Sequence, residues 1–344
     1  MSRKSIPEQV VVAGQVARPQ TVQLSSQNPF LLAEVAPQEK LEAADAALPA
    51  QGALFLPQGA HLNLPGVVIV QGLGGLKPER ELTYGHKLAD AGFAALAVDS
   101  FGARGVADAP DYWKALRVST WALLADAFAA LRFLATHPAV NPKAIAVVGF
   151  SWGGMASVLA AYEQLRAAFL GDNDLRFAGH ASYYGCSIPR LDDPVTTGAP
   201  LLVMVGARDE NVSVERTRKI CADLKRGGSE VDLRVFNAFH QWDGSDEEVR
   251  HVDFSLADLC VTVTRDNRMQ LEASSDVINS HLAEVWQVIR NLRLGGYDIQ
   301  RDPDLHRKTD RLLLDFLARM AAREGSAVPT IQTFPLGAIG AADA

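Results

Sequence analysis

Apolar residues in this chain gather into short unbroken runs, separated by stretches of helical period, and the alternation persists from Gly52 to His240. Gly66–Gln71 carries the core V-V-I-V, as expected for a strand buried on both faces. Phe93–Val98, Ile145–Gly149, Leu201–Val205 and Val231–Phe236 repeat that pattern, and Tyr183–Gly185 is a weaker copy. Between these runs, Glu79–Ala91 reads as a helix stopped by Gly92, a residue suited to a left-handed cap. From Val118 to Ala135 the residues Trp121, Leu124, Phe128, Leu131 and Ala135 fall three and four apart, giving one apolar helical face. His137-Pro138 ends that helix, and Gly227-Gly228 ends another over Ser213–Lys225. Strands alternating with helices over this length predict an α/β fold, a mostly parallel sheet with helices on both faces. Ligands of such sheets sit beyond the carboxyl ends of the strands.

The flanks break the rhythm. Residues 1–50 read as an N-terminal extension with short strands at Val10–Val12, Val22–Leu24 and Phe30–Val35. The main domain spans 51–325. Within its last part, Leu256–Thr264 and Met269–Glu272 suggest a hairpin turning at Arg265-Asp266-Asn267, followed by a helix from Ser275 to Leu294. A final helix opens at Asp302-Pro303, a side-chain cap followed by proline at the first helical position. It turns Leu305, Leu312, Leu313, Phe316, Leu317 and Met320 inward. Residues 326–344, rich in Ala, Gly and Pro, read as a loose tail.

Composition narrows the function classes. The 344 residues are 48% hydrophobic and 21% charged, with 33 Lys and Arg against 40 Asp and Glu, a net charge of -7. With no basic stripe, a nucleic-acid partner is not expected. The apolar runs are too short to cross a bilayer, and no continuous apolar stretch follows Met1-Ser2-Arg3-Lys4 as a secretory signal would require. Cys186, Cys221 and Cys260 lie far apart without a C-x-x-C, which reads as reduced thiols in a cytoplasmic protein.

Against that background one segment carries chemistry. In G-F-S-W-G-G, Ser151 ends an apolar strand and opens a helix, the strand–turn–helix setting of a nucleophile elbow. Gly149, Gly153 and Gly154 leave room for the strand and helix to approach. A serine hydroxyl needs an adjacent base, itself oriented by a carboxylate. In the α/β-hydrolase order these follow as acid, then histidine, each after a strand. Asp209 follows Leu201–Val205 in G-A-R-D-E-N-V, and His240 follows Val231–Phe236 in N-A-F-H-Q-W-D, with one strand–helix repeat between them. Glu210 is the alternative acid, but its neighbour is better placed. His251 follows an acidic run, His137 and His180 precede the acid, and His86 falls in a predicted helix. The oxyanion hole would use the backbone N–H of Trp152 and, from Q-G-L-G-G after the third strand, that of Leu73.

Rival chemistries have weaker support. His240, Asp243, Asp246, Glu247, Glu248 and His251 cluster in sequence but lack a recognised ligand spacing, so no metal is expected. Neither G-x-x-x-x-G-K nor G-x-G-x-x-G occurs, and no cofactor is expected.

These residues together resemble the dienelactone hydrolase family of α/β hydrolases. The resemblance runs from Gly52 to Trp242 and resumes in the final helix. It rests on Q-G-L-G-G, D-S-F-G-A-R-G at Asp99–Gly105, G-F-S-W-G-G and the Asp209 and His240 loops. It implies the α/β-hydrolase fold, the oxyanion donors named above, and hydrolysis of a small-molecule ester or lactone. Two positions depart from the family: Ser151 stands where its founding enzymes carry cysteine, and Gln71 where histidine is usual. The first points to ordinary esterase chemistry. Residues 243–298 have no counterpart there and read as an insertion over the active site.

Arg104 offers a two-pronged site for an acidic substrate, or else braces its loop against a neighbouring acid. Tyr84, Phe101, Trp113, Trp152 and Trp242 are candidate pocket walls. The scaffold also suits two other roles: acyl transfer with the same three residues, and binding without catalysis. A homodimer contact is one reading of the C-terminal hundred residues.

Overall fold

The computed structural model describes residues 18–44, 47–59, 62–185, 188–253, 255, 257–280, 283, 290 and 295–326. Its centre is an eight-stranded sheet in the order β1-β2-β4-β3-β5-β6-β8-β9. The first strands are β1 (Gln20–Ser26), β2 (Leu48–Phe55), β3 (Leu64–Val70) and β4 (Ala94–Asp99). They are followed by β5 (Val140–Phe150), β6 (Gly179–Tyr183), β7 (Pro189–Leu191), β8 (Leu201–Gly206) and β9 (Val231–Phe236). The pairs β1/β2 and β2/β4 are antiparallel, and every later pair in the sheet is parallel.

The parallel part is buried on both faces except at the edge strand β9, and its side chains divide by period two. Val68, Val70, Ile145, Val147 and Val203 meet one core, while Val67, Ile69, Ala146, Val148 and Met204 meet the other. Helices α4 (Thr120–Thr136), α5 (Trp152–Leu159), α6 (Glu163–Leu170) and α7 (Val214–Arg226) pack into the first core. On the second face lie α2 (Thr83–Asp90) and α8 (Pro303–Arg323). Two further short helices are α1 (Gln38–Ala43) and α3 (Asp111–Arg117). The caps follow local chemistry: Ser119, Ser213 and Asp302 each accept a hydrogen bond from the N–H three residues on.

Chain order runs from β3 to β4 on one side, then back through α4 to β5 on the other side of β3. The loops after β3 and β5 therefore face each other where the winding reverses, the crevice that α/β sheets use for ligands.

The C-terminal part builds two small sheets. β10 (Arg250–Val252) pairs with β14 (Tyr297–Ile299), and β11 (Val261–Val263) and β12 (Met269–Leu271) join β7 and β13 (Val277–Ile278). The hairpin turning at Arg265-Asp266-Asn267 is present, with Asn267 at φ 62°.

Several elements differ from the sequence expectation. Phe30–Val35 is not a strand, because Glu34 reaches back to the N–H groups of Phe30 and Leu31 and closes a 3-10 turn over Leu32–Glu34. A π-helical turn, Pro78–Leu82, precedes α2 and buries three consecutive residues. Ser275 takes a left-handed φ of 60°, and Val277–Ile278 pairs with β12, so no helix starts at Ser275. Residues 1–17, most of 281–294 and 327–344 lie outside the described set, and with them the Val10–Val12 strand, the rest of that helix and nearly all of the tail. No single described helix is long and apolar enough to cross a membrane.

Candidate active site

Ser151 sits between β5 and α5 at φ 52° and ψ -112°, backbone angles that a non-glycine residue adopts only under constraint. The constraint is visible. A Cβ on Gly149 would fall 1.9 Å from the Gly153 carbonyl oxygen, and one on Gly153 would fall 2.2 Å from that of Val70. Only hydrogen fits at both, so strand and helix close tightly and push the serine out between them. The Ser151 N–H donates to the Tyr183 carbonyl at 2.9 Å, tying the elbow to the neighbouring strand.

His240 reaches this serine from the loop after β9. Its Nε2 lies 2.9 Å from Ser151 Oγ, and its Nδ1 lies 2.6 Å from Asp209 Oδ2. Facing a carboxylate, Nδ1 donates, which leaves Nε2 free to accept the serine proton. The other Asp209 oxygen accepts from the N–H groups of Asn211 at 2.8 Å and Val212 at 3.1 Å, so the carboxylate is held at both ends. The two loops are joined as well, with Arg208 N–H donating to the Ala238 carbonyl at 3.0 Å. All three side chains are buried. Such a chain can deprotonate a serine and stabilise the imidazolium that results.

The loop after β3 lies against the elbow, since a Cβ on Gly72 would stand 3.4 Å from Ser151 Cβ. Leu73 follows on this loop, and the Trp152 N–H begins α5, where first-turn N–H groups have no partner within the helix. Gln71 is fully buried, and neither polar atom of its side chain has a hydrogen-bond partner.

The other predicted residues fall in several places. Phe101 is fully buried, 6.4 Å by ring centroid from Trp152, whose Nε1 donates to Thr120 Oγ1 at 2.9 Å. Arg104 is saturated by protein groups. It pairs with Asp126 at 2.6 and 3.1 Å and donates to Asn28 and to the Ser100 and Gln27 carbonyls. Its geometry is that of a brace between the β1 extension and α4. Trp242 is fully buried against Tyr183, Tyr184 and Phe236, with Nε1 donating to Thr309 at 3.3 Å. Tyr84 is buried and donates to Asp310, whereas Trp113 is about half exposed on α3. Of the acidic cluster, Asp243 accepts from Tyr184, Asp246 pairs with Arg250, and His251 with Asp298. Among the described residues no group of three or more His, Cys, Asp or Glu could hold a metal ion.

Two features escape the sequence reading. His240 is flanked by two tyrosines: Tyr184, held at φ 38° with its ring 4.7 Å away, and Tyr297, edge-on at 5.1 Å. Beneath the β3 loop lies a buried ion pair, Arg80 and Glu81. Adjacent charges in P-E-R-E-L and an isolated tyrosine after Gly295-Gly296 carry no periodic signal that would have singled them out.

The sheet order, the elbow and the hydrogen-bonded serine, histidine and aspartate define an α/β-hydrolase fold. Residues 50–252 match the dienelactone hydrolase family, and the chain belongs to it. It is accordingly a hydrolase acting on ester bonds. Among solved structures, it is similar to a putative dienelactone hydrolase from Klebsiella pneumoniae (18% identity, 65% of this chain and 88% of that one, TM-score 0.49). A dienelactone hydrolase-like promiscuous phosphotriesterase from metagenomic libraries aligns at 21% identity over 65% and 84% of the two chains, with TM-score 0.47. A propionate-bound thermophilic esterase from Thermogutta terrifontis aligns at 19% identity over 57% and 81%, with TM-score 0.46. A search of curated proteins finds no match.

Proposed function

We propose that this hydrolase is a serine esterase that cleaves a small carboxylic ester or lactone through an acyl-enzyme. The observation that carries the reading is His240, bonded at once to Ser151 Oγ and to Asp209. Nε2 of His240 takes the serine proton as Oγ attacks the substrate carbonyl. The Leu73 and Trp152 N–H groups receive the developing oxyanion, and the imidazolium, steadied by Asp209, protonates the leaving alcohol. Water then attacks the acyl carbonyl as it loses a proton to His240, and the imidazolium gives that proton to Ser151 Oγ as the bond to the serine breaks and the acid leaves. Every step uses groups of this chain, with no cofactor. Three dispersed cysteines support a cytoplasmic setting, and the two among the described residues, Cys221 and Cys260, are free.

The test is a panel of esters and lactones, varied in acyl and alcohol size, run against the protein and its Ser151→Ala variant. Hydrolysis confined to the wild-type chain, with fluorophosphonate labelling lost in the variant, is expected. Equal activity in both would end the proposal, and faster transfer to an added alcohol than to water would redirect it to acyl transfer.

A further inference from the structure

Beneath the loop that carries Leu73 lies a carboxylate with no contact to solvent. Glu81 is 0% exposed and its neighbour Arg80 2% exposed. The π-helical turn Pro78–Leu82 buries Arg80, Glu81 and Leu82 together.

The two oxygens of Glu81 serve opposite ends of one loop. Oε2 accepts from the Lys77 N–H at 2.9 Å, while Oε1 lies 3.4 Å from the Gly72 N–H. Between them, Gly75 N–H donates to the Gly72 carbonyl at 3.0 Å, closing a tight turn around Leu73 and Gly74. Arg80 neutralises the carboxylate, its Nε and Nη2 lying 2.8 and 2.7 Å from Oε1. The guanidinium stands 5.4 Å from the Phe150 ring centroid, and a Cβ on Gly72 would lie 3.2 Å from its Nη2. Burial opposes its charge, yet Glu81, together with Tyr184 and Asp243, outweighs burial and holds it above its ordinary pKa. Buried charges of this kind are expensive unless fully paired, and this pair spends its hydrogen-bonding capacity on two backbone amides of a single loop.

We infer that Glu81, neutralised by Arg80, is a positioning residue that locks residues 72–77 so that the Leu73 N–H points at the oxyanion formed on Ser151. The inference rests on the esterase reading above and adds to it the element that preorganises one of the two oxyanion donors. A donor fixed before the reaction stabilises charge without reorganising, and losing one such donor costs roughly 100- to 1000-fold in kcat.

The experiment compares the wild-type chain with Glu81→Gln and with the double variant Arg80→Met/Glu81→Gln, which removes both buried charges. Ester turnover, affinity for a trifluoromethyl ketone that forms a tetrahedral adduct, and affinity for the product alcohol are measured on each. The expected result is a fall in kcat of about 10-fold or more with KM within about 3-fold. Ketone affinity should fall in parallel while alcohol affinity and the pH profile hold. Unchanged kcat in a folded variant overturns the inference, as does an equal loss of alcohol and ketone binding. Amide hydrogen exchange on the wild-type chain gives a second reading that no unfolded variant can spoil. The Lys77 amide should exchange far more slowly than that of Gly74, and equal exchange overturns the inference. The esterase reading fails separately, through Ser151→Ala that retains activity.

Discussion

Tyr297 stands edge-on to His240, with ring centroids 5.1 Å apart and planes at 80°. The contact crosses the boundary of the family match, which ends at residue 252. Around it the backbone is also joined, with Gln300 N–H donating to the His240 carbonyl at 3.3 Å, Arg301 to Asp246 and Asp302 to Trp242. The segment 297–302 thus splints the histidine loop, and Tyr184 packs on the same imidazole at 4.7 Å. Tyr297→Leu should lower kcat by roughly 10-fold, as small misplacements of a base do, whereas Tyr297→Phe keeps the ring and should stay within about 2-fold. Steady-state kinetics on both variants decide it, and equal losses would show that the ring is not what matters.

The orientation of His240 also depends on Asp209, whose carboxylate is fixed by the Asn211 and Val212 amides. In Asp209→Asn the amide can present its NH2 to Nδ1, which favours the tautomer with the proton on Nε2, facing the serine. A loss of about 1000- to 10,000-fold in kcat is expected with substrate binding retained. Single-turnover acylation measures this directly. A loss below 10-fold would mean that another group orients the base.

The legibility of this site in the sequence follows the sheet. Ser151 and Asp209 each sit just past a buried apolar strand and His240 past the edge strand β9, and a parallel sheet brings such positions to one edge. Their proximity could therefore be read from strand order alone. Arg80 and Glu81 could not, because consecutive charges in a helical stretch read as a solvated face, whereas the turn that carries them packs both inside. Tyr297 was illegible for a different reason. Its partner lies far up the chain, and the two-residue and three-residue strands of this region leave too little periodicity to fix a register. Phe30–Val35 misled because a single side chain, Glu34, closes a turn that hydropathy cannot register.

Arg104 gives a sharper contrast between two roles. Its partner Asp126 has a side chain only 1% exposed and also accepts from Ser26 on β1 at 2.6 Å. Removing the guanidinium strands a buried carboxylate, so Arg104→Met should destabilise the fold by about 3–5 kcal/mol. The ratio of kcat/KM between an anionic and a neutral ester should not move. Chemical denaturation and paired kinetics test both halves, and a selective loss toward the anionic ester would return Arg104 to a substrate role.

His180 predicts how stability depends on pH. It lies on β6, only 1% exposed, with Nδ1 2.9 Å from the Ser157 carbonyl and Nε2 unpaired. Burial lowers its pKa from the ordinary 6.5 to about 4. Between those values the unfolded chain binds the proton and the folded chain does not. The contribution is therefore complete above pH 6.5 and shrinks as pH falls toward 4. From pH 7.5 to pH 5 this amounts to about 2 kcal/mol. His86 and His306, also lowered mainly by burial, act with the same sign, so the difference between wild type and His180→Gln isolates the residue. Urea unfolding of both proteins at the two pH values should show the variant losing about 2 kcal/mol less than wild type on acidification. Identical pH dependence would mean that His180 is protonated in the folded state, and that its burial among Ser157 and the β6 neighbours costs the charge far less than its surroundings imply.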